Sequence, residues 1–287
     1  MGTRRCGVVL SVIGIVLLIV GILWFAVIFP ALAKVPTGYE RTYHFEGTFS
    51  VLNPVTQSLV SFPITQDLAQ EATGTQDGAL LIHEKRTVVN AGNGTDISAM
   101  YGDESTLAID RSTLEFVPTI DERGRTGQWG PPRGLGQGDE FDIWNPGANK
   151  PLTARYVDTL EFQGITVVAF RIAETDLSIG KHPLTQAPLL LTTTINLFIE
   201  PKTGAVVDQN ALNTIIMDMG VQKVPVQIAN VQWTDETIAE MVDLAKSSKT
   251  KLLWFETITP WLLVGIGVVL IIVGAVFIVR KGSAMSA

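Results

Sequence analysis

The chain has 287 residues, of which 46% are hydrophobic and 17% charged, with a formal net charge of −7. That acidic balance lacks the basic footprint that phosphate binding requires, which excludes nucleic acid as an expected partner. A single cysteine, Cys6, excludes an internal disulfide, so any folded domain has to be held together by its core.

Residues 7–29 are uncharged and almost wholly apolar. At about 1.5 Å per residue, a helix of this length crosses the roughly 30 Å hydrocarbon layer of a membrane. Residues 261–279 form a second such run. The predicted organisation is a first transmembrane helix over 6–30, an extracytoplasmic β-rich domain over 34–233, a juxtamembrane helix over 234–256 and a second transmembrane helix over 259–280. A cleaved secretion signal is the alternative for the first run, because Arg4 and Arg5 precede it and Ala31-Leu32-Ala33 fits the small-x-small cleavage rule. The run exceeds the usual length of a signal core and Pro30 follows it directly, which favours an uncleaved anchor.

Arg4 and Arg5 before the first run, and Arg280 and Lys281 after the second, place both ends in the cytoplasm by the positive-inside tendency. The central segment then faces outward, with the bilayer itself as the first partner. Four of the 21 basic residues lie in these tails, which leaves 17 against 28 acids and a balance of −11 for the middle. Gly7, Gly14 and Gly21 recur at seven-residue spacing, and so do Gly267 and Gly274. Each set falls along one slowly drifting helical stripe, and small residues on such a stripe let membrane helices approach closely, so the two spans are expected to pack together.

In the middle segment, Tyr43, Phe45, Phe49 and Val51 alternate with polar residues, the period-two mark of a half-buried strand that Pro54 ends. A short helix is expected within 63–73 and a strand over 79–90. Asn93-Gly94-Thr95 is an acceptor sequon for glycosylation at Asn93 if the source cell modifies asparagine. Residues 106–117 read as strand, polar turn, strand, and residues 196–207 repeat nearly the same phrase around Glu200-Pro201-Lys202-Thr203-Gly204. Duplication of a β unit and generic hairpin chemistry both account for the repeat. Residues 121–151 are rich in glycine and proline and are the least regular part. A hairpin turning at Gln163-Gly164 follows, then strands over 189–199, 211–217 and 224–233, and a helix capped at Thr234.

No catalytic, cofactor-binding or metal-ligating constellation emerges. His44, His83 and His182 are scattered, and no nucleophile elbow or phosphate loop is present. Asp139, Glu140 and Asp142 lack the spacing of a calcium loop and read as solvated turn acids. The fold class expected is membrane-anchored α+β, mostly β, with no enzymatic activity and no cofactor.

The two terminal runs, the Ile109-Asp110-Arg111-Ser112-Thr113 phrase, the 141–146 segment, the 156–170 hairpin and the 197–204 phrase resemble the domain of unknown function 3068. Members of that family come chiefly from actinobacteria and often carry the label porin A family. Ile143-Trp144-Asn145-Pro146 departs from the family's usual Phe-Trp-Asp-Pro. The family label implies a pore, yet two apolar helices offer no polar lining. The Glu-Pro-Lys-Thr-Gly phrase is also similar to one in the half-barrel folds of periplasmic lipid carriers. Three readings follow: an envelope structural or interaction module, a binder of lipid or another apolar ligand in a sheet cavity, and an oligomeric pore. Partners expected are lipid or envelope proteins, with self-association left open.

Overall fold

The computed structural model describes residues 2–32 and 34–282. Ala33, and with it the complete small-x-small triplet, lies outside the described residues. The chain forms two compact units, a helical one from its two ends and a β unit, Val35–Lys246.

The helical unit contains α1 (Gly2–Leu23), a π-helical stretch Trp24–Ile28 and α2 (Phe29–Leu32). Both α1 and the C-terminal helix are long and apolar enough to cross a membrane. The β unit contains β1 (Glu40–Asn53), β2 (Ser58–Gln76), β3 (Ala79–Asn90), β4 (Thr95–Asp96), α3 (Ser98–Tyr101), β5 (Asp103–Ile109), β6 (Glu140–Asn145), β7 (Lys150–Phe162), β8 (Ile165–Lys181), β9 (Pro188–Glu200), β10 (Ala205–Asp218) and β11 (Lys223–Trp233). There follow α4 (Asp235–Leu252), a π-helical stretch Leu253–Ile258 and α5 (Thr259–Gly282).

All eleven strands belong to one antiparallel sheet, in the order β4-β3-β2-β1-β11-β10-β9-β8-β7-β6, with β5 also on β3. The expected helix within 63–73 does not form. Those residues lie inside β2, paired with β1 on one side and β3 on the other. Pro63 is tolerated because it faces Thr48 of β1 while β3 pairing begins only at Ile64 with Asn90, so the missing N–H interrupts no ladder. At Gly47 a Cβ would run into the carbonyl of Asn230, so only glycine permits the close approach of β1 to β11.

Burial alternates along the strands. On β9, Leu191, Thr193, Ile195, Leu197 and Ile199 are buried while Thr192, Thr194, Asn196 and Phe198 on the other face are half-buried. The residues paired with them, Phe170, Ile172 and Val168 on β8 and Ala211 on β10, are buried too. Phe45, Phe49 and Ile64, with Val88 of β3, extend the same face across β1 and β2. Tyr101 and Ile97, around α3, pack onto that face against Phe49 and Val88. The first three turns of α4 belong to this unit. Met241 packs on Trp233 and Phe45, and Val242 and Ala245 pack with Ile165, Val167 and Val207. Thr234 caps the helix by accepting from the N–H of Thr237 through its hydroxyl at 3.3 Å.

The irregular connection between β5 and β6 joins the two edges of the sheet. Ile109 bridges to Phe116, Glu115 to Gln128, and Gln128 to Ile143 of β6. Backbone hydrogen bonds from Phe116 to Gly127 (3.0 Å), Trp129 to Leu114 (2.8 Å), Gln128 to Asp142 (2.9 Å) and Trp144 to Gln128 (3.0 Å) carry the circuit across. The β unit is therefore a closed barrel, with the more buried face inside. Closure removes the unpaired strand edges that would otherwise recruit another chain.

Candidate functional sites in the helix pair and the barrel

In the helical unit, α1 and α5 run antiparallel with their glycines face to face. A Cβ on Gly7 would lie 2.8 Å from the Gly274 carbonyl oxygen, and one on Gly14 would lie 2.5 Å from that of Gly267. One on Gly21 would meet Val264 at 2.9 Å. A Cβ on Gly267 would sit 2.8 Å from the Gly14 carbonyl, and one on Gly274 would overlap the Ser11 hydroxyl. Gly7, Gly14, Gly267 and Gly274 thus admit the opposing backbone only because they have no side chain. Near one end of the pair, the Trp24 indole donates to the Phe255 carbonyl at 2.7 Å and stacks on the Phe255 ring. Most other large side chains of both helices are exposed.

At the seam, the outer edge of β5 is covered by four side chains from a five-residue stretch. β5 offers its outer backbone groups to residues 121–125 instead of to a strand. The Thr106 N–H donates to Glu122 Oε2 (2.6 Å) and the Ala108 N–H to Asp121 Oδ2 (3.2 Å). Arg123 donates to the Glu104 carbonyl (3.0 Å) and Arg125 to that of Thr106 (3.4 Å). Val117 and Glu115 complete the row at Ala108 and Asp110. Asp121 and Arg125 are buried, and Arg125 Nη1 lies 2.9 and 3.1 Å from the two carboxylate oxygens. Its other nitrogen donates to Ser105 at 2.5 Å and its guanidinium lies 5.9 Å from the Phe116 ring centre. The hydrogen bonds from Arg123 hold the Asp103 carboxyl below the usual carboxylate range.

Inside the barrel, near the start of β1, lies a polar chain. Tyr39 donates to Gln70 at 3.0 Å, Gln70 donates to Glu84 at 2.6 Å, and the Tyr39 and Tyr43 hydroxyls lie 3.2 Å apart. Burial pushes both phenols well above their ordinary range, so they act only as neutral hydrogen-bonding groups. The Tyr43 ring stacks on Trp233 at 5.3 Å.

The remaining sequence-level candidates are dispersed. His44 pairs with Asp67 at 2.7 Å, His83 lies 3.3 Å from Glu104, and His182 accepts from Thr185 in the β8–β9 turn. Asp139 accepts from the Gly136 N–H, Glu140 faces Arg155 at 3.5 Å, and Asp142 accepts from Thr153. Asn93 is exposed in the β3–β4 turn, where its side chain accepts from the Thr95 N–H. Cys6 is exposed on α1. Two clefts of about 520 and 410 Å³ open to solvent. The first is lined by polar groups of the seam, including Glu115, Gln128 and Asp142, and the second by Glu46, Thr48 and Asn230 beside Ile64 and Val231. Sequence reasoning missed the seam, although the two acids and two arginines within 121–125 were its local signal.

Residues 6–276 match the model of the family described as porin PorA. No curated protein sequence matches the chain. Among solved structures, Rv2717c from M. tuberculosis is similar over 67% of this chain and 91% of its own, at 10% identity and a TM-score of 0.31.

Proposed function

The chain belongs to the porin PorA family, and from that premise we propose that it is a non-enzymatic envelope protein, anchored by its two apolar helices, whose barrel is a structural and interaction module. The narrower likeness to the domain of unknown function 3068, and the orientation with both ends cytoplasmic and the barrel outside, form part of this reading. The polarity of the barrel carries it. Barrels that cross membranes present an apolar band outward and a polar lumen inward. Here the inner face carries Phe45, Phe49, Ile82, Phe170, Leu197 and Ile199, all buried, while Thr48, Asp67, Glu71, Arg171 and Gln232 are exposed on the outer face. A surface of this kind suits water outside and packed side chains inside, and gives neither a lipid-facing wall nor an aqueous path.

The family's name favours a second reading, an ion-conducting pore. With this barrel, conduction would fall to the helices, and α1 with α5 carries apolar side chains outward and glycines inward. A channel would then need several helix pairs around a common axis. The lipid-cavity reading gains little from the two clefts, which are open and polar. Planar-bilayer recording on the purified full chain tests the proposal. We expect a baseline indistinguishable from protein-free bilayers, whereas discrete conductance steps that vanish in Gly14→Leu protein would establish the pore instead.

A further inference from the structure

Three hairpins end in uncharged tips at one end of the barrel: residues 54–57 between β1 and β2, 182–187 between β8 and β9, and 219–222 between β10 and β11. The register brings them together. Asn53 pairs with Ser58 beneath the first tip, Val51 pairs with Gln227 beside the third, and Met217 pairs with Leu189 between the third and second. β1 begins and β11 ends at the opposite end of the barrel, where Phe45 pairs with Trp233.

Two of the tips are the same device. Pro54-Val55-Thr56-Gln57 and Pro183-Leu184-Thr185-Gln186 each place glutamine at positive φ, 54° and 61°. In each, the glutamine amide donates back to the proline carbonyl, at 2.8 and 3.0 Å. A left-handed backbone is unfavourable for a residue with a side chain, so each turn sustains a strained position. The result is that the residue after proline stands out in water. Val55 and Leu184 are each 88% exposed, and in the third tip Val221 is 96% and Met219 50% exposed. These fourteen tip residues include no Asp, Glu, Lys or Arg, in a chain that is 17% charged.

The apolar area offered is on the order of 400 Å², about half of the roughly 800 Å² per partner that a stable protein interface buries. It is also divided among three projecting tips, which a rigid protein partner would have to receive in three matched pockets. A lipid surface needs neither the area nor the pockets, and absence of charge is what insertion into it requires. We propose that the three tips insert Val55, Leu184 and Val221 into a lipid surface facing this end of the barrel, a bilayer other than the one crossed by the chain's own helices. The proposal takes its setting from the anchored reading above.

The test uses the full chain in nanodiscs, mixed with phosphatidylcholine vesicles and separated by flotation. The protein should carry nanodiscs up with the vesicles, and the Val55→Ser, Leu184→Ser, Val221→Ser triple variant should reduce this by about tenfold or more with an unchanged melting profile. Equal flotation of the variant, or flotation of the parent no better than empty nanodiscs, overturns the proposal. So does pairing of nanodiscs without vesicles, which would assign the tips to a second copy. A dye on Val221→Cys, in a Cys6→Ser background, should shift to the blue only when vesicles are added. A shift already present in the nanodisc would assign the tips to the chain's own bilayer and also overturn the proposal. Failure of the chain to enter nanodiscs refutes the anchored reading alone. The serine comparison is then made on protein added in buffer to vesicles, with the same two outcomes.

Discussion

Asp121 and Arg125 show how few side chains cover the outer edge of β5 at the seam. Both are buried, and Asp121 also accepts the Ala108, Arg123 and Arg125 backbone N–H groups. Removing one partner strands the other, a loss of about 3–5 kcal/mol, so Arg125→Ala should lower the unfolding midpoint sharply. The Asp121→Ala, Arg125→Ala double variant should lose far less than the sum of the two singles, measured by chemical denaturation. Two other carboxyls predict opposite responses to pH. Asp103 is held below its unfolded value by Arg123. Its contribution to stability is therefore complete above the unfolded value near 4 and lost as pH falls through the folded value. The melting difference between the parent and Asp103→Asn should be present at pH 7 and disappear in strong acid. Asp208 is raised by burial and by Asp235 nearby. Its ionised form burdens the fold at neutral pH, so Asp208→Asn should raise the melting temperature at pH 7 and leave it unchanged in acid, where both side chains are neutral.

At the scale of elements, strands whose signal is local were legible. β3 runs over Ala79–Asn90 as its alternation indicated, and β7 and β8 turn at Gln163-Gly164, where φ is positive at both residues. β2 was not legible, because Gln, Ala, Leu and Glu at 66–72 favour a helix in isolation, whereas pairing on both sides decides the strand in the fold. The seam was illegible for a related reason. Its hydrogen bonds join Thr106 to Glu122 and Gln128 to Asp142, through side chains and single bridges that have no period. The glycines of α1 and α5, by contrast, have a period of seven, and a Cβ on Gly14 would lie 2.5 Å from the Gly267 carbonyl oxygen. Gly14→Leu with Gly21→Leu should abolish a cysteine crosslink engineered between the two helices, since leucine cannot occupy the space now filled by the Gly267 carbonyl. An undiminished crosslink would show that the seam of glycines is dispensable. In the barrel, Gly47→Ala should cost about 1–3 kcal/mol of stability, because its methyl group meets the Asn230 carbonyl.

At the scale of the molecule, the functional reading depends on the barrel being closed and apolar within. An open eleven-stranded sheet would expose edges at β5 and β6 and invite association, whereas a closed barrel confines interaction to its outer face and its ends. Amide hydrogen exchange on the full chain, read peptide by peptide, tests closure most directly. Segments 104–117 and 126–145 should exchange slowly, at rates comparable with β8 and β9 and far slower than the tip at 182–187, and Arg125→Ala should speed the first two selectively. Rapid exchange across both segments in the unaltered protein would show an open sheet and contradict closure.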